Sequence, residues 1–458
     1  MNEPRRLFGT DGVRGVVNED LNPEFILRLG LAIGSYFDKG SRILIGMDSR
    51  AGGEIIKGIV SAALMSTGVK VYDAGFTPTP ALQYVVKSNG FDGGVMITAS
   101  HNPPEYNGIK VIGPHGIEID RDEERKLEEI YWENNFRRVN WSSLPYSVEK
   151  HKMVNEEYVK AVLSHIDKDL IRAKNYRVLI DPANSVGALT TPLIVKELGV
   201  KPIVINGTLD PLFPGRNPEP TVENLTETAK VTRELGVALG IAHDADADRA
   251  IIIDEKGVVN WGDRTATLLA KYLKEEKGLS GKVYTAVSSS IMVEEVLKPL
   301  NIEVAWLKVG SVDIAHTMRR NGDALCGFEE NGGFMYPPHQ YVRDGGITTA
   351  LFLEMMARYN ASASQLFDKL PKYYALKKKY RMDREKALRV VELVKEAFKD
   401  KRLITIDGVK VISSDYWLLV RPSGTEPLLR VMIEAKDIER LNEISSLIDS
   451  IIREVAGK

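Results

Sequence analysis

The sequence predicts an α/β protein with three repeated mixed α/β domains and a smaller C-terminal α+β domain around a central cleft. Three observations predict it. The chain has 458 residues, more than a single hydrophobic core sustains, which implies three or four domains. Short apolar runs alternate with helix-like stretches, the signature of βα units. One passage then occurs three times: strand, polar turn, helix, strand, and a further strand that ends in a polar loop.

The first copy reads Ile43-Leu-Ile-Gly-Met-Asp48-Ser49-Arg50, a helix-like stretch, then Gly68-Val-Lys-Val-Tyr72. The second reads Val178-Leu-Ile-Asp181-Pro-Ala-Asn184-Ser185, a helix-like stretch, then Gly199-Val-Lys-Pro-Ile-Val204. The third reads Val283-Tyr-Thr-Ala-Val-Ser288-Ser-Ser290, a helix-like stretch, then Asn301-Ile-Glu-Val304. All α/β chains have some self-similarity, but here turn, helix and loop recur in the same order. The further strands end differently. Gly93 to Ala99 ends at Ser100, Val237 to Ala242 ends in His243-Asp-Ala-Asp-Ala-Asp248-Arg249, and Ala324 to Phe328 ends in Glu329-Glu-Asn331-Gly-Gly333. Ligands of α/β sheets bind beyond the carboxyl ends of strands, so the three loops would meet in one cleft. From about Pro371 the pattern becomes strand, helix over 383–398, three short strands, and a helix over about 437–455. The expected domains are therefore 1–150, 151–254, 255–370 and 371–458.

Composition narrows the function classes. The balance of 61 basic and 63 acidic residues gives a net charge of −2, which favours neither a nucleic-acid partner nor a membrane surface. One cysteine, Cys326, cannot form an intramolecular disulfide and fits a reducing compartment. No apolar stretch approaches the roughly 20 residues of a membrane helix, and the first residues lack a signal-peptide pattern. The expectation is a cytoplasmic protein.

The loops carry the chemistry. Asp244, Asp246 and Asp248 alternate, so their side chains point one way and repel unless a cation lies among them. Hard oxygen ligands select Mg²⁺ or Ca²⁺. An EF-hand fits poorly: Glu255 falls at its twelfth position, but Arg249 occupies its glycine position and Ala250-Ile-Ile-Ile253 continues as a strand. Three ligands leave positions for a substrate oxygen, and Mg²⁺ commonly shares its shell with phosphate. Arg421, Ser423, Gly424 and Thr425, with Arg430 close behind, suit a phosphate dianion; an ordinary proline-glycine turn is the alternative. Glu329 to Gly333 offers groups for sugar hydroxyls, or forms a solvated turn. Ser100 lies in neither a hydrolase elbow nor a Walker loop, so it is a nucleophile of another kind or the cap of the next turn.

Five segments in order resemble the α-D-phosphohexomutases, the family of phosphoglucomutase, phosphomannomutase and phosphoglucosamine mutase. They are Phe8-Gly-Thr-Asp-Gly-Val-Arg14-Gly15, Thr98-Ala-Ser100-His-Asn-Pro103, Asp244-Ala-Asp-Ala-Asp-Arg249, Glu329-Glu-Asn-Gly-Gly333 and Arg421-Pro-Ser-Gly-Thr-Glu-Pro427. The resemblance implies a four-domain, heart-shaped enzyme that interconverts hexose 1-phosphates and 6-phosphates. It implies that Ser100 is carried as phosphoserine, with Mg²⁺ held by Asp244, Asp246, Asp248 and the serine phosphate. It implies that Arg14, His101, Lys110 and Arg249 line the reacting phosphoryl group, with Lys110 a candidate for proton transfer. Glu329 and Asn331 would meet the sugar. Arg421, Ser423, Gly424, Thr425 and Arg430 would hold the phosphate that is not reacting. A hexose bisphosphate would be both intermediate and activator. The partners expected are a sugar monophosphate, no nucleic acid and no membrane, with a homodimer left open.

The chain departs from the family at several places. Ala245 and Ala247 stand where glycines are usual, and Gly333 stands where many bacterial members have a histidine. Some members have Gly-His where this chain has Gly310-Ser311, which makes His339 or Lys110 a substitute proton carrier. The opening motif looks most like phosphoglucosamine mutases and the Glu-Glu-Asn-Gly-Gly loop like archaeal members. The expected conversion is glucosamine-6-phosphate to glucosamine-1-phosphate, with mannose and glucose phosphates second. Two other classes compete: a non-catalytic sugar-phosphate-binding protein and a metal-dependent phosphatase.

Overall fold

A computed structural model describes residues 6–9, 11–424 and 426–457. It contains four sheets in chain order. The first three share one wiring. In the first, the strand Gly93–Ile97 pairs antiparallel with Tyr106–Ile112 on one side and parallel with Arg42–Met47 on the other, and Lys70–Phe76 follows outside. In the second, Leu239–His243 lies between Ala250–Asp254, antiparallel, and Arg177–Asp181, parallel, with Lys201–Val204 outside. In the third, Ala324–Phe328 lies between Phe334–Met335, antiparallel, and Lys282–Ala286, parallel, with Val304–Leu307 outside. Val13–Val16 and Glu149–Lys150 flank the first sheet, and Val259–Asn260 extends the second. The repeat is thus a repeat of topology as well as of pattern.

The sequence explains why these central strands lie where they do. Gly93–Ile97 and Leu239–His243 are buried along their whole length, as strands covered on both faces are. Each then meets residues that cannot extend a ladder: Ser100 and Ala247 both take positive φ, at 50° and 57°. The third-repeat strand begins at Val304, three residues later than the sequence pattern suggests. The reason is Asn301, whose left-handed conformation closes the preceding 3-10 turn and delays pairing.

The first repeat has a core of its own around Leu29, Ile45 and Val95, but the repeats also share one. One continuous apolar cluster joins Leu82 and Phe91 of the first repeat, Tyr158 and Ile241 of the second, and Leu269, Phe328 and Ile347 of the third. The helix Gly345–Tyr359 runs through it, buried on nearly every face. The loops at the strand ends are therefore held by a shared scaffold.

The C-terminal domain has its own core between one sheet face and the helices Arg384–Ala397 and Ile438–Ala456. Its first strand is Tyr374–Arg381. Four strands, not three, lie between the helices: Arg402–Ile404, Val409–Ile412, Tyr416–Pro422 and Leu428–Ala435. Arg402–Ile404 is too short to announce itself by alternation. The domain meets the third repeat through Trp417 and Leu419 against Val287 and Ile291. Lys410 is buried at this junction. Its Nζ donates to the carbonyls of Val287, at 3.0 Å, and Ser289, and lies about 4 Å from the ring centroids of Trp306 and Trp417. A cavity of about 100 Å³ lies between the two domains, with Trp261, Asp263, Glu330, Tyr373, Lys377 and Glu434 in its wall. Among the described residues no helix is long and apolar enough to cross a membrane.

Replacing Lys410 with Met keeps the apolar stem and strips two buried carbonyls of their donor, which costs about 1–3 kcal/mol. Urea unfolding followed by Trp fluorescence should show the loss in the transition that exposes Trp417. An unchanged midpoint would show that Lys410 does not anchor the domain.

Candidate active site

Ser100 follows the buried strand Gly93–Ile97 and is fully buried itself. Its N–H donates to the Thr98 hydroxyl at 2.8 Å, and Thr98 donates to Asp48 at 2.5 Å. Its left-handed backbone is unfavourable for a residue with a Cβ and persists only where surroundings impose it. Arg50 imposes it. One guanidinium donates to four carbonyls of this loop: Ser100 at 2.6 Å, Asn102 at 2.5 Å, Pro103 at 2.7 Å and Tyr106 at 2.9 Å. Asp48 lies 3.3 Å from Arg50 Nε. Burial pushes the Asp48 carboxyl up to about 6, and Arg50 opposes the rise.

The metal loop is closed at its base by His243, whose ring contacts the Arg249 carbonyl at 2.7 Å and the Thr191 hydroxyl at 2.9 Å. Asp244, Asp246 and Asp248 each place a carboxylate oxygen within 4.8 Å of the others, all buried. The Ser100 hydroxyl donates to Asp244 Oδ2 at 2.7 Å, so the serine and metal loops touch. Thr79, at the start of the helix Thr79–Ser88, donates its hydroxyl to Asp246 Oδ2 at 2.7 Å and its N–H to the Asp246 carbonyl at 3.0 Å. Asp246 Oδ1 and Asp248 Oδ1 are buried with no hydrogen-bond partner among the described residues. Burial, then Asp248 and Asp246, pushes Asp244 well above the usual carboxylate range. Two orphaned oxygens and a mutually repelling trio are what a divalent cation would relieve, so the residues fit a hard metal ion.

Cations from the first two repeats surround this charge. Lys110 Nζ lies 2.9 Å from Asp246, 3.1 Å from Asp11 and 3.5 Å from Asp248. Burial alone would lower this ammonium, but Asp11, Asp246 and Asp248 outweigh it and hold Lys110 well above its ordinary value. The three carboxylates thus favour the charged form of Lys110. Arg14 donates to Asn102 at 2.7 Å, to the Ala99 carbonyl at 3.0 Å and to Asp11 at 2.9 Å. Arg249 places Nη2 2.9 Å from His101 Nδ1, and Nε 3.6 Å from Asp244 and 3.7 Å from Asp248. Burial, then Arg249, Arg14 and Arg343, pushes His101 well below its ordinary value. A guanidinium only donates, so His101 Nδ1 is an acceptor and the ring is neutral. Its 3.5 Å approach to Ser100 Oγ is too long for a triad base.

The third loop brings Glu329 to the same place through a residue that sequence reasoning missed. Arg343 donates to Glu329 at 3.0 Å, to Asp11 at 2.9 Å and to Asp248 at 2.5 Å, so it touches all three repeats. The loop is tight: Glu329 N–H donates to the Gly333 carbonyl at 3.0 Å, and Asn331 Oδ1 accepts from Gly333 N–H at 3.2 Å. It also rests on its neighbours. Ala250 N–H donates to the Gly332 carbonyl at 3.1 Å, and Gly262 N–H to the Glu330 carbonyl at 2.9 Å. Gly333 is explained by the same arginine, since a Cβ there would lie 2.3 Å from Arg343 Cδ. Asp11 and Arg50 were also missed as site residues, although each lies in a segment the sequence had marked.

The C-terminal residues do not join this cluster. Arg421 belongs to a strand and pairs with Asp407 at 2.7 Å, Arg430 pairs with Glu426 at 3.1 Å, and Ser423 N–H donates to the Leu428 carbonyl at 2.8 Å. Gly424 faces open space, and Thr425 lies outside the described residues. The contacts of His339 are with other groups than Ser100. The histidine is buried at the junction of the repeats, stacked on Tyr84 and 3.3 Å from Asp344.

Four family profiles match the chain in this order. The phosphoglucomutase/phosphomannomutase alpha/beta/alpha domain I covers residues 5–138, domain II 156–257, domain III 261–374 and the C-terminal domain 378–450. The chain belongs to the phosphoglucomutase/phosphomannomutase family. It is 54% identical to the phosphoglucosamine/phosphogalactosamine mutase of Sulfurisphaera tokodaii over 99% of this chain and 100% of that one. It is 38% identical to a phosphoglucomutase/phosphomannomutase of Thermococcus kodakarensis, over 96% and 97% respectively. The crystal structure of a phosphoglucomutase/phosphomannomutase family protein from Burkholderia thailandensis has the same fold. It superposes with a TM-score of 0.87 at 23% identity, covering 98% of this chain and 97% of that one.

The neutrality of His101 in this family site is testable. In protein labelled with ¹⁵N-histidine, its ring should keep the neutral pattern from about pH 8 down to about pH 5.5, below the ordinary midpoint of roughly 6.5. A midpoint near that ordinary value would contradict the geometry.

Proposed function

We propose that the protein is a phosphohexomutase acting on hexosamine phosphates, moving a phosphoryl group between the 1- and 6-hydroxyls by way of Ser100 and a sugar bisphosphate. One observation carries the reading. The Ser100 hydroxyl meets Asp244 at 2.7 Å, inside a buried trio of aspartates and beside Lys110, Arg14 and Arg249. Hydrolase geometry is absent there, since His101 is occupied by Arg249. The similarity to a phosphoglucosamine/phosphogalactosamine mutase at 54% identity supports the hexosamine assignment. The 38% identity to a phosphoglucomutase/phosphomannomutase supports mannose and glucose phosphates as the second reading.

The chain's residues divide the work as follows. Phosphoserine at position 100 carries about −1.5 to −2 charges, which Arg14, Lys110 and Arg249 offset. Mg²⁺, held by Asp244, Asp246, Asp248 and the serine phosphate, would neutralise further charge on the transferring group. Arg50 holds the serine loop still, so the sugar rather than the serine must reorient between the two transfers. Glu329 and Asn331 accept sugar hydroxyls. Arg421, Ser423, Gly424, Thr425 and Arg430 seat the phosphate at the far end of the sugar, whichever end that is. Phosphoryl transfer depends mainly on such positioning and charge stabilisation.

The decisive assay compares glucosamine, galactosamine, mannose and glucose monophosphates in the presence of Mg²⁺ and a trace of hexose bisphosphate. The hexosamine phosphates should turn over fastest, mass spectrometry should find phosphoserine at Ser100, and Ser100→Ala should abolish both turnover and label. Full activity in Ser100→Ala would overturn the reading. Phosphate release without need of a bisphosphate would indicate a phosphatase instead. Lys110→Ala should lower kcat by about 10²-fold or more while changing KM little, since the lost charge stabilises the transferring group. Unchanged kcat would remove Lys110 from the mechanism.

A further inference from the structure

We propose that Arg343 is a positioning residue that couples the metal position to the sugar loop, by sharing its guanidinium between Asp248 and Glu329. The inference rests on the mutase reading for the identity of the two ligands, a divalent cation and a sugar phosphate. Its geometry does not.

Arg343 is 5% exposed. Its Nη2 donates to Asp248 Oδ2 at 2.5 Å and to Asp11 Oδ2 at 2.9 Å, and its Nη1 donates to Glu329 Oε2 at 3.0 Å. Asp248 therefore gives Oδ2 to the arginine and leaves Oδ1, which has no hydrogen-bond partner among the described residues, for the metal position. Glu329 stands in the equivalent place after the third-repeat strand Ala324–Phe328. A planar fork can address two carboxylates through different nitrogens, which an ammonium on a shorter reach cannot. The arginine stem packs on Gly333, where a Cβ would lie 2.3 Å from Cδ, so the guanidinium is held in place. Asp11 anchors it to the first repeat.

A carboxylate shared between a cation and an arginine divides its charge between them. Asp248 engaged at Oδ1 is a weaker partner for Arg343, and the guanidinium is freer to serve Glu329. In the other direction, Glu329 draws Arg343 away from Asp248 and leaves a better metal ligand. Such coupling is reciprocal, so whatever factor one ligand imposes on the other through this arginine is returned unchanged. Residues behind the ligands commonly tune metal affinity in this way.

The test is Mg²⁺ titration of unphosphorylated protein by calorimetry, without sugar, in wild type, Glu329→Gln, Arg343→Lys and the double variant. Glu329→Gln should weaken Mg²⁺ about fivefold or more in wild type, and less than about twofold when Arg343 is already Lys. Glu329→Asp, which keeps the charge and shortens the reach, should also weaken it. An equal effect of Glu329→Gln in both backgrounds would reduce the relation to long-range attraction and overturn the proposal. So would an unchanged Mg²⁺ affinity in Glu329→Gln. Should Arg343→Lys fail to fold, Glu329→Asp decides, since wild-type affinity in that variant refutes the relay. A protein without mutase activity that still shows the cycle would refute the functional reading and leave the coupling standing.

Discussion

Three buried aspartates bring carboxylate oxygens within 4.8 Å of one another, one of them accepts from Ser100, and the rest of the structure follows from that concentration of like charge. Such a group is costly to bury unless cations accompany it. The cations come from every repeat: Arg14 and Lys110 from the first, Arg249 from the second, Arg343 from the third. No single domain could supply them all beside its own loop. The repeated wiring solves this by ending three central strands at one place. The shared apolar core then keeps the three ends in register, and Thr79 and Arg343 tie the loops directly across domain boundaries.

The same convergence accounts for the backbone strain. Ser100 and Ala247 both adopt left-handed conformations that glycine would take at lower cost, by about 1 kcal/mol. Ser100 cannot be glycine, because its hydroxyl is the chemistry. Arg50 answers by gripping four carbonyls around it. Ala247 has only a methyl to accommodate, and its loop is closed by His243, which bridges the Arg249 carbonyl and Thr191. The strain is local and is balanced by hydrogen bonds from buried, immobile groups.

Much of this arrangement could be read from the residues. The three strand-end loops, and the fold class they imply, were legible because apolar runs stop abruptly at Ser100, Asp244 and Glu329. The clustering of the three aspartates was legible because alternate side chains of an extended segment point one way. Arg343 was not legible, since its partners Asp11 and Asp248 lie far away in sequence and a charged residue before a helix looks like surface. Gly333 looked like a lost histidine, whereas the arginine stem already fills that space. His339 looked available and is instead packed between aromatic rings. Lys110 was recognised, but not that its ammonium would lie against Asp11 as well as Asp246 and Asp248. The short strand Arg402–Ile404 gave no periodicity to detect.

If the aspartate trio and the Ser100 phosphate act together, they form a single metal centre. Mn²⁺ substituted for Mg²⁺ in protein phosphorylated on Ser100 tests this by pulsed electron paramagnetic resonance. The account predicts a resolved ³¹P coupling to the bound Mn²⁺, absent from Ser100→Ala and from protein treated to remove the phosphate. Mn²⁺ bound with no ³¹P coupling, or a coupling that survives in Ser100→Ala, would contradict it.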